Sequence, residues 1–421
     1  MKLMFDQSGY ALGNLGDRAM LEMALARCSE HECIVVARNE ILLRGVSKKA
    51  NLVEMAGLTE WRRTYNLAGG IHRLLPQSAH QTLKDLEEAC RSKFPHMAYK
   101  HIVRRLKKRN ADTEPFERFI KQVSETDALI VTGGGFINDS FPRHAMLVLR
   151  LCQLFLRLGK PVALFGQGIG PLKTPALRKV LAEVAQQATV FGLREGLYSP
   201  VLLKELGVTN PRVVTTGDDA IEFALQYTEI PTKNSIGINI RVAPYSGISE
   251  EVAMKILQSV EYAKNQLGCS LVAVPISWNA GDSDVSTLSF IEPEICLDKP
   301  WSTQQLVDRV SECRVVITAS YHAAVFALSQ GCPVIAMVGS GYYDAKMKGL
   351  AKQFDCNESS LRLMTPEQLC DRQQMTLAIS ELIQSIGDVA DKLQEKASDQ
   401  STLSQNLFEE FLIQAQASVA G

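Results

Sequence analysis

Val315-Val316-Ile317-Thr318-Ala319-Ser320-Tyr321-His322-Ala323-Ala324-Val325-Phe326-Ala327-Leu328 decides how this chain is read. A β-branched run stops at small polar residues, and a histidine opens the apolar helical pattern that follows. Gly331, Cys332 and Pro333 end that helix, and Val334 to Val338 starts another strand. This is a strand–turn–helix–strand unit with one imidazole at the carboxyl end of its first strand. Open α/β sheets bind ligands at that edge, and His is the side chain best suited to move protons near neutral pH.

The same rhythm extends in both directions. Ile34–Ala37, Ala128–Val131, Val162–Phe165 and Thr189–Leu193 read as strands. Helical patterns follow at about 143–158, 175–187 and up to Leu206. After a polar, Pro-containing break at Gln226–Ser235 the pattern restarts with strands Ile236–Ile240 and Leu271–Pro275 and helices at 250–267 and 304–313. Strands alternating with helices predict parallel sheets covered on both faces. The expected organisation is a Rossmann-like domain over residues 1–228 with a basic helical insert at about 90–125, and a second over 235–365. A helical tail over 366–421 packs back on both. Two such halves leave a cleft between them, a common place for ligands.

Composition narrows the function. The chain has 421 residues, 46% hydrophobic and 22% charged, ordinary for a globular protein. A formal net charge of −1 gives no global case for nucleic-acid binding. Ten cysteines occur without a C-x-x-C pair. Cys28 and Cys33 flank His31, but no second ligand pair stands at zinc spacing, so buried thiols in a reducing compartment are the reading. The start, Met1-Lys2-Leu3-Met4-Phe5-Asp6, reaches an acid too soon for a signal peptide. No apolar run reaches the ~18–20 residues of a transmembrane helix. A cytoplasmic protein is expected. Residues 91–109 carry eight basic residues and no acid. That reads as a solvated helix face or as a surface for anionic lipid or a phosphorylated carrier, which would place the protein at the inner face of a membrane. Without interleaved aromatics it does not read as a nucleic-acid site.

Several strand ends carry candidate chemistry. Gly133-Gly134-Gly135 and Gly166-Gln167-Gly168-Ile169-Gly170-Pro171 end successive strands and predict a cleft floor that meets a ligand by backbone. Their spacing is not the dinucleotide fingerprint. Asn14 and Asp17 sit before a helical run, as caps or as a polar loop facing the cleft. Arg194 and Arg241 follow strands, where guanidinium groups suit carboxylate or phosphate recognition. Asp218 follows Thr216-Gly217 at the end of another extended run, to bind hydroxyls or cap a helix, and Lys346 follows a glycine-containing turn after Val338. Asp282-Ser283-Asp284 has the D-x-D form of a metal-binding pair, but it is short and common by chance. No metal or cofactor is expected. P-loop, H-E-x-x-H and G-x-S-x-G motifs are absent.

Taken in order, Asn14-Leu15-Gly16-Asp17, Gly133-Gly134-Gly135, Gly166 to Pro171, Arg194-Glu195 with Ser199 and Leu206-Gly207, Thr216 with Asp218, His322 to Leu328 with Gly331 and Pro333-Val334, and Tyr343 with Lys346 resemble the polysaccharide pyruvyl transferase family. The resemblance covers roughly residues 5 to 355. It implies a GT-B-like fold. It implies transfer of an enolpyruvyl unit from phosphoenolpyruvate to two hydroxyls of a glycan or lipid-linked sugar, giving a ketal. It maps the catalytic role onto His322 and donor binding onto Arg194 and Lys346. Many members carry an Arg two residues before that His. Here Ser320 holds the position, followed by Tyr321, and Arg241 is the cation expected to substitute. Gly134, Gly135, Gln167, Asn14, Asp17, Asp218, Ser320 and Tyr321 complete the expected substrate contacts. A GT-B glycosyltransferase using a nucleotide sugar and a non-catalytic protein retaining the fold stay open as alternatives, as does assembly into a homo-oligomer.

Overall fold

Apolar β-branched runs buried on both faces can satisfy their backbone only by pairing in parallel beneath helices. The computed structural model, which describes residues 1–62, 76, 86–87, 90–91, 93–226, 234–243, 246–279 and 283–420, shows two such sheets. The first contains β1 (Lys2–Asp6), β2 (Glu32–Ala37), β3 (Asn51–Glu54), β4 (Ala128–Val131), β5 (Gly134–Ile137), β6 (Val162–Ile169), β7 (Val190–Leu193) and β8 (Val213–Thr215). Its order is β3-β2-β1-β4-β6-β7-β8, with β5 pairing the far end of the long β6. The second contains β9 (Ser235–Asn239), β10 (Ser270–Ala273), β11 (Cys313–Thr318), β12 (Val334–Met337) and β13 (Leu361–Met364), in the order β10-β9-β11-β12-β13. Every ladder is parallel. Met4 lies between Ile34 and Leu129, and Ile317 between Ile238 and Ile335.

The halves share an apolar seam. The core around the second sheet takes in Leu15, Ala19 and Met20 from the helix Leu15–Arg27, and Ala220, Ile221 and Ala224 from the helix Ala220–Leu225. These pack under Ala323, Ala324 and Ala327 of the helix Tyr321–Ser329, which is buried all round. At roughly 1.5–3 kcal/mol for each fully buried aliphatic side chain, this seam holds the sheets' carboxyl ends opposite one another.

The last element is a single helix, Arg372–Ala420. Its first part places Met375, Ile379, Leu382 and Leu393 in the core of the second sheet. Its last part places Leu407, Phe408, Phe411 and Ala415 against Phe5, Ile130 and Phe165 of the first sheet. The Phe165 and Phe408 rings stack at 4.6 Å. Arg27, Asp219, Glu222 and Ser404 form a polar latch beside that contact. The helical tail thus packs on both halves.

Four strands escaped the sequence reading. β1 was considered only as a leader, β3 and β13 are four residues each, and β5 was read as a glycine turn. Of the interdomain break at 226–235, residues 227–233 lie outside the described residues, as does Asp282 of the D-x-D motif.

Candidate active site

The carboxyl ends of both sheets open onto one polar cavity of about 200 Å³. From the first sheet come Asn14 and Asp17 after β1, Gly135 in β5 and Arg194 after β7. From the second come Arg241 after β9, Ser320, Tyr321 and His322 after β11, and Lys346 after β12. Nine of the twelve sequence-predicted residues therefore meet in one place.

His322 occupies the second position of its helix, which lifts the ring off the sheet edge and lays it against Gly16. A Cβ built on Gly16 would fall 2.0 Å from the imidazole Cγ, so only glycine fits beneath this ring. Asn14 caps the helix that carries Gly16, accepting from the amides of Gly16 and Asp17 at 3.0 and 3.2 Å. The ring's Nε2 faces Asp218 Oδ2 at 3.7 Å, and neither atom has a hydrogen-bond partner among the described residues. Burial, then the charges of Arg194, Lys346 and Arg241, hold His322 well below the ordinary imidazole range. Near neutral pH it is a neutral base.

Arg194 is the pivot of the site. Its guanidinium lies 3.9 Å over the face of Tyr321, and its ion pair with Asp218 is long, at 3.7 Å. Behind it stand two glycines: a Cβ on Gly135 or Gly168 would come within 2.3 Å of the guanidinium. The glycine-rich strand ends clear a slot for Arg194, whose guanidinium lines the cavity beside Gly135. No hydrogen bond or ion pair engages Lys346 among the described residues. Its ammonium sits 4.0 Å over the ring of Tyr342, whose hydroxyl donates to the Gly135 carbonyl at 3.1 Å. Burial and the Arg194 charge push Lys346 well down. An anion between the two cations would draw Lys346 back toward its charged form, while Arg194 keeps its charge throughout.

Arg241 also lines the cavity but is held from behind. Its Nε and second terminal nitrogen donate to the two carboxylate oxygens of Asp284 at 2.8 and 3.0 Å. Asp284 is fully buried and also accepts from Asn239 and from the amides of Ile276 and Ser277. The described half of the D-x-D motif thus orients an arginine. Among the described residues, no cluster of three or more His, Cys, Asp or Glu could hold a metal ion.

Two carboxyls add proton-carrying capacity. Asp17 is pushed up to about 7 by burial and the nearby Asp218 charge, against the pull of Ser8, Arg194 and Lys346. Asp218 is pushed up to about 6 by burial, with Arg194 pulling it back. Gln167 and Gly134 do not line the cavity. The Gln167 amide donates to the carbonyls of Thr132 and Phe165 and so ties β4 to β6, and Gly134 packs against Ser8 and Phe136. Asp218 acts from behind His322 and Arg194. The sequence reading missed Gly16, Tyr342, Ser8, Asn279 and His144. Gly16 lay inside a motif already singled out, whereas the others carry no local signal.

A larger groove of about 470 Å³ adjoins the cavity and shares Arg194, Tyr321, Tyr342 and Lys346 with it. Its far wall is apolar, with Ile169, Leu172, Tyr198, Val201 and Leu202, and Lys173 and Arg178 stand at its margin.

Two parallel sheets facing each other across a cationic cleft, strapped by a carboxyl-terminal helix, define a GT-B-like protein. Solved structures with this fold include the UDP-GlcNAc 2-epimerase from Neisseria meningitidis bound to UDP-GlcNAc (TM-score 0.53, 13% identity, covering 98% of this chain and 100% of that one). The glycotransferase of kitacinnamycin is similar (TM-score 0.53, 12% identity, 99% and 98% covered). So is a putative UDP-N-acetylglucosamine 2-epimerase from Listeria monocytogenes (TM-score 0.51, 12% identity, 96% and 93% covered). At these identities the likeness is one of fold. No curated protein matches the chain. The family model for polysaccharide pyruvyl transferase matches residues 73–341, and the chain belongs to that family of transferases.

Proposed function

We propose that the protein transfers the enolpyruvyl unit of phosphoenolpyruvate to two hydroxyls of one sugar in a cell-surface polysaccharide or glycan precursor, closing a ketal and releasing phosphate. The observation that carries this reading is that the cations of Arg194 and Lys346 converge on one cavity beside the buried neutral imidazole of His322. A donor bearing both phosphate and carboxylate supplies an anion to both. The cavity is small beside the ~300–1,000 Å³ of drug-sized ligand sites, which suits phosphoenolpyruvate. The adjoining groove takes the sugar acceptor.

The chemistry divides among the residues. The methylene carbon of the donor takes up a proton, leaving an oxocarbenium-like centre at the adjacent carbon. A sugar hydroxyl attacks that carbon and gives up its own proton. A second hydroxyl then attacks as the carbon–oxygen bond to phosphate breaks, its proton passes to the departing phosphate, and the ketal closes. Asp17, half-protonated near neutrality, is the assigned acid, and neutral His322 is the assigned base. General acid–base catalysis of this kind contributes about 10²–10⁴-fold. Arg194, Lys346 and Arg241 fix the donor.

Thermal-shift titration and phosphate release test the proposal together. Phosphoenolpyruvate at 100 times its Kd stabilises by about 2.7 kcal/mol, and phosphate appears only when an acceptor glycan is added. His322→Gln keeps the donor-induced shift and loses release. Stabilisation by UDP or GDP sugars instead of phosphoenolpyruvate identifies a glycosyltransferase. Tight binding with no phosphate release across a broad acceptor panel identifies a non-catalytic protein. Either outcome overturns the proposal.

A further inference from the structure

The basic segment folds into the helix Pro95–Lys108, anchored by Ile102 and Leu106, with Tyr99 stacked on Phe116 at 5.9 Å. At 100° per residue, the exposed residues His96, Met97, Lys100, His101, Arg104, Lys107 and Lys108 fall on one arc of about 140°, opposite that anchor. Lys93, Lys100, Arg104, Lys107, Lys108 and Arg109 are all exposed, and no ion pair or hydrogen bond engages their side chains among the described residues. No acid lies between residues 91 and 109. Within this cationic arc Met97 is 68% exposed, and Phe94, at the cap of the same helix, is 49% exposed.

We infer that this face docks on an anionic lipid surface. Three observations select that occupant. Six unpaired cations stand together on a chain whose net charge is −1, so the attraction is local and directional. Two large apolar side chains project among the charges, where water gains nothing from them and a bilayer interface does. Among the described residues of this face, none is a carboxylate that could compete for the ammonium and guanidinium groups. A soluble polyanion would satisfy the cations equally well but would leave Phe94 and Met97 in water. The helix then lies in the headgroup plane, with Phe94 and Met97 inserted below and the lysines and arginines spread along the phosphates.

Vesicle co-sedimentation of the full chain tests this inference. Vesicles of phosphatidylcholine and phosphatidylglycerol in a 7:3 ratio are expected to retain the protein at low salt and release it as salt rises. Pure phosphatidylcholine does not retain it. Each cation near an anionic surface strengthens attachment about five-fold, so the triple variant Lys100→Glu/Arg104→Glu/Lys108→Glu loses at least about 100-fold. Phe94→Ser/Met97→Ser is expected to weaken vesicle binding about ten-fold while leaving binding to dextran sulfate unchanged. All these positions are exposed, and an unchanged melting temperature checks the fold of each variant. Failure of the wild-type chain to bind the mixed vesicles overturns the inference. So does equal vesicle binding by wild type and Phe94→Ser/Met97→Ser, which identifies a soluble polyanion as the occupant.

Discussion

Replacing Gly16 by alanine inverts an ordinary expectation. In an unobstructed helix, Gly→Ala gains up to about 1 kcal/mol. Here the new methyl would sit 2.0 Å from Cγ, 2.2 Å from Nδ1 and 2.4 Å from Cβ of His322. Such overpacking costs about 1–3 kcal/mol, so Gly16→Ala should destabilise by up to about 2 kcal/mol. Urea denaturation followed by fluorescence gives the sign. A double-mutant cycle with His322→Gly then isolates the cause. Glycine is the partner of choice because the His322 Cβ is itself one of the obstructing atoms. Removing the side chain should restore the normal gain and reveal a coupling of about 1–3 kcal/mol. Ring displacement by about 1 Å also predicts a loss of turnover near 10²-fold. A stabilised Gly16→Ala, or additivity in the cycle, refutes the seating of the imidazole on this glycine and with it the orientation of the proposed base.

Other perturbations probe the remaining groups. The folded Asp17 holds its proton up to about pH 7, whereas the unfolded carboxyl releases it near its ordinary value of 3.8. The folded state is therefore penalised progressively as pH rises from 4 to 7. Asp17→Asn should stabilise the fold at pH 8 by on the order of 1–3 kcal/mol, read as a higher melting temperature, and have no effect at pH 4. An equal gain at both pH values contradicts this. Asp284→Asn strips Arg241 of a fully buried carboxylate and should cost about 3–5 kcal/mol. The wild-type melting temperature should not respond to manganese or EDTA, and a response would return this aspartate to a metal role. Tyr321→Leu removes the ring beneath Arg194 and should weaken phosphoenolpyruvate binding, measured by calorimetry, by about 0.5–2 kcal/mol.

Strand order in the sequence made the two-sheet architecture legible because buried parallel strands are near-continuous apolar runs. The candidate site was legible for a related reason: cavity-lining residues follow strands, with Arg194 and Arg241 just past β7 and β9, and His322 and Lys346 on the helices that follow β11 and β12. Short strands such as β13, Leu361–Met364, gave too few residues to establish a period. The purpose of the glycines was not legible either. Gly135 and Gly168 look like ligand-facing turns until Arg194, which lies far from Gly135 in the chain, is seen to fill the space. Tyr342 and the apolar groove depend on tertiary placement, which no local pattern encodes.

The terminal helix also imposes an order on biosynthesis. Leu3, Phe5 and Ile130 emerge early, yet the face they present is covered by Leu407, Phe408 and Phe411. Until those late residues are translated, the leading sheet carries an uncovered hydrophobic surface in the crowded cell. Contacts of such long sequence separation form slowly and leave intermediates prone to aggregation. A nascent chain truncated before residue 407 therefore presents itself as a client for chaperones and proteases, and arrival of the strap hides the surface they would recognise.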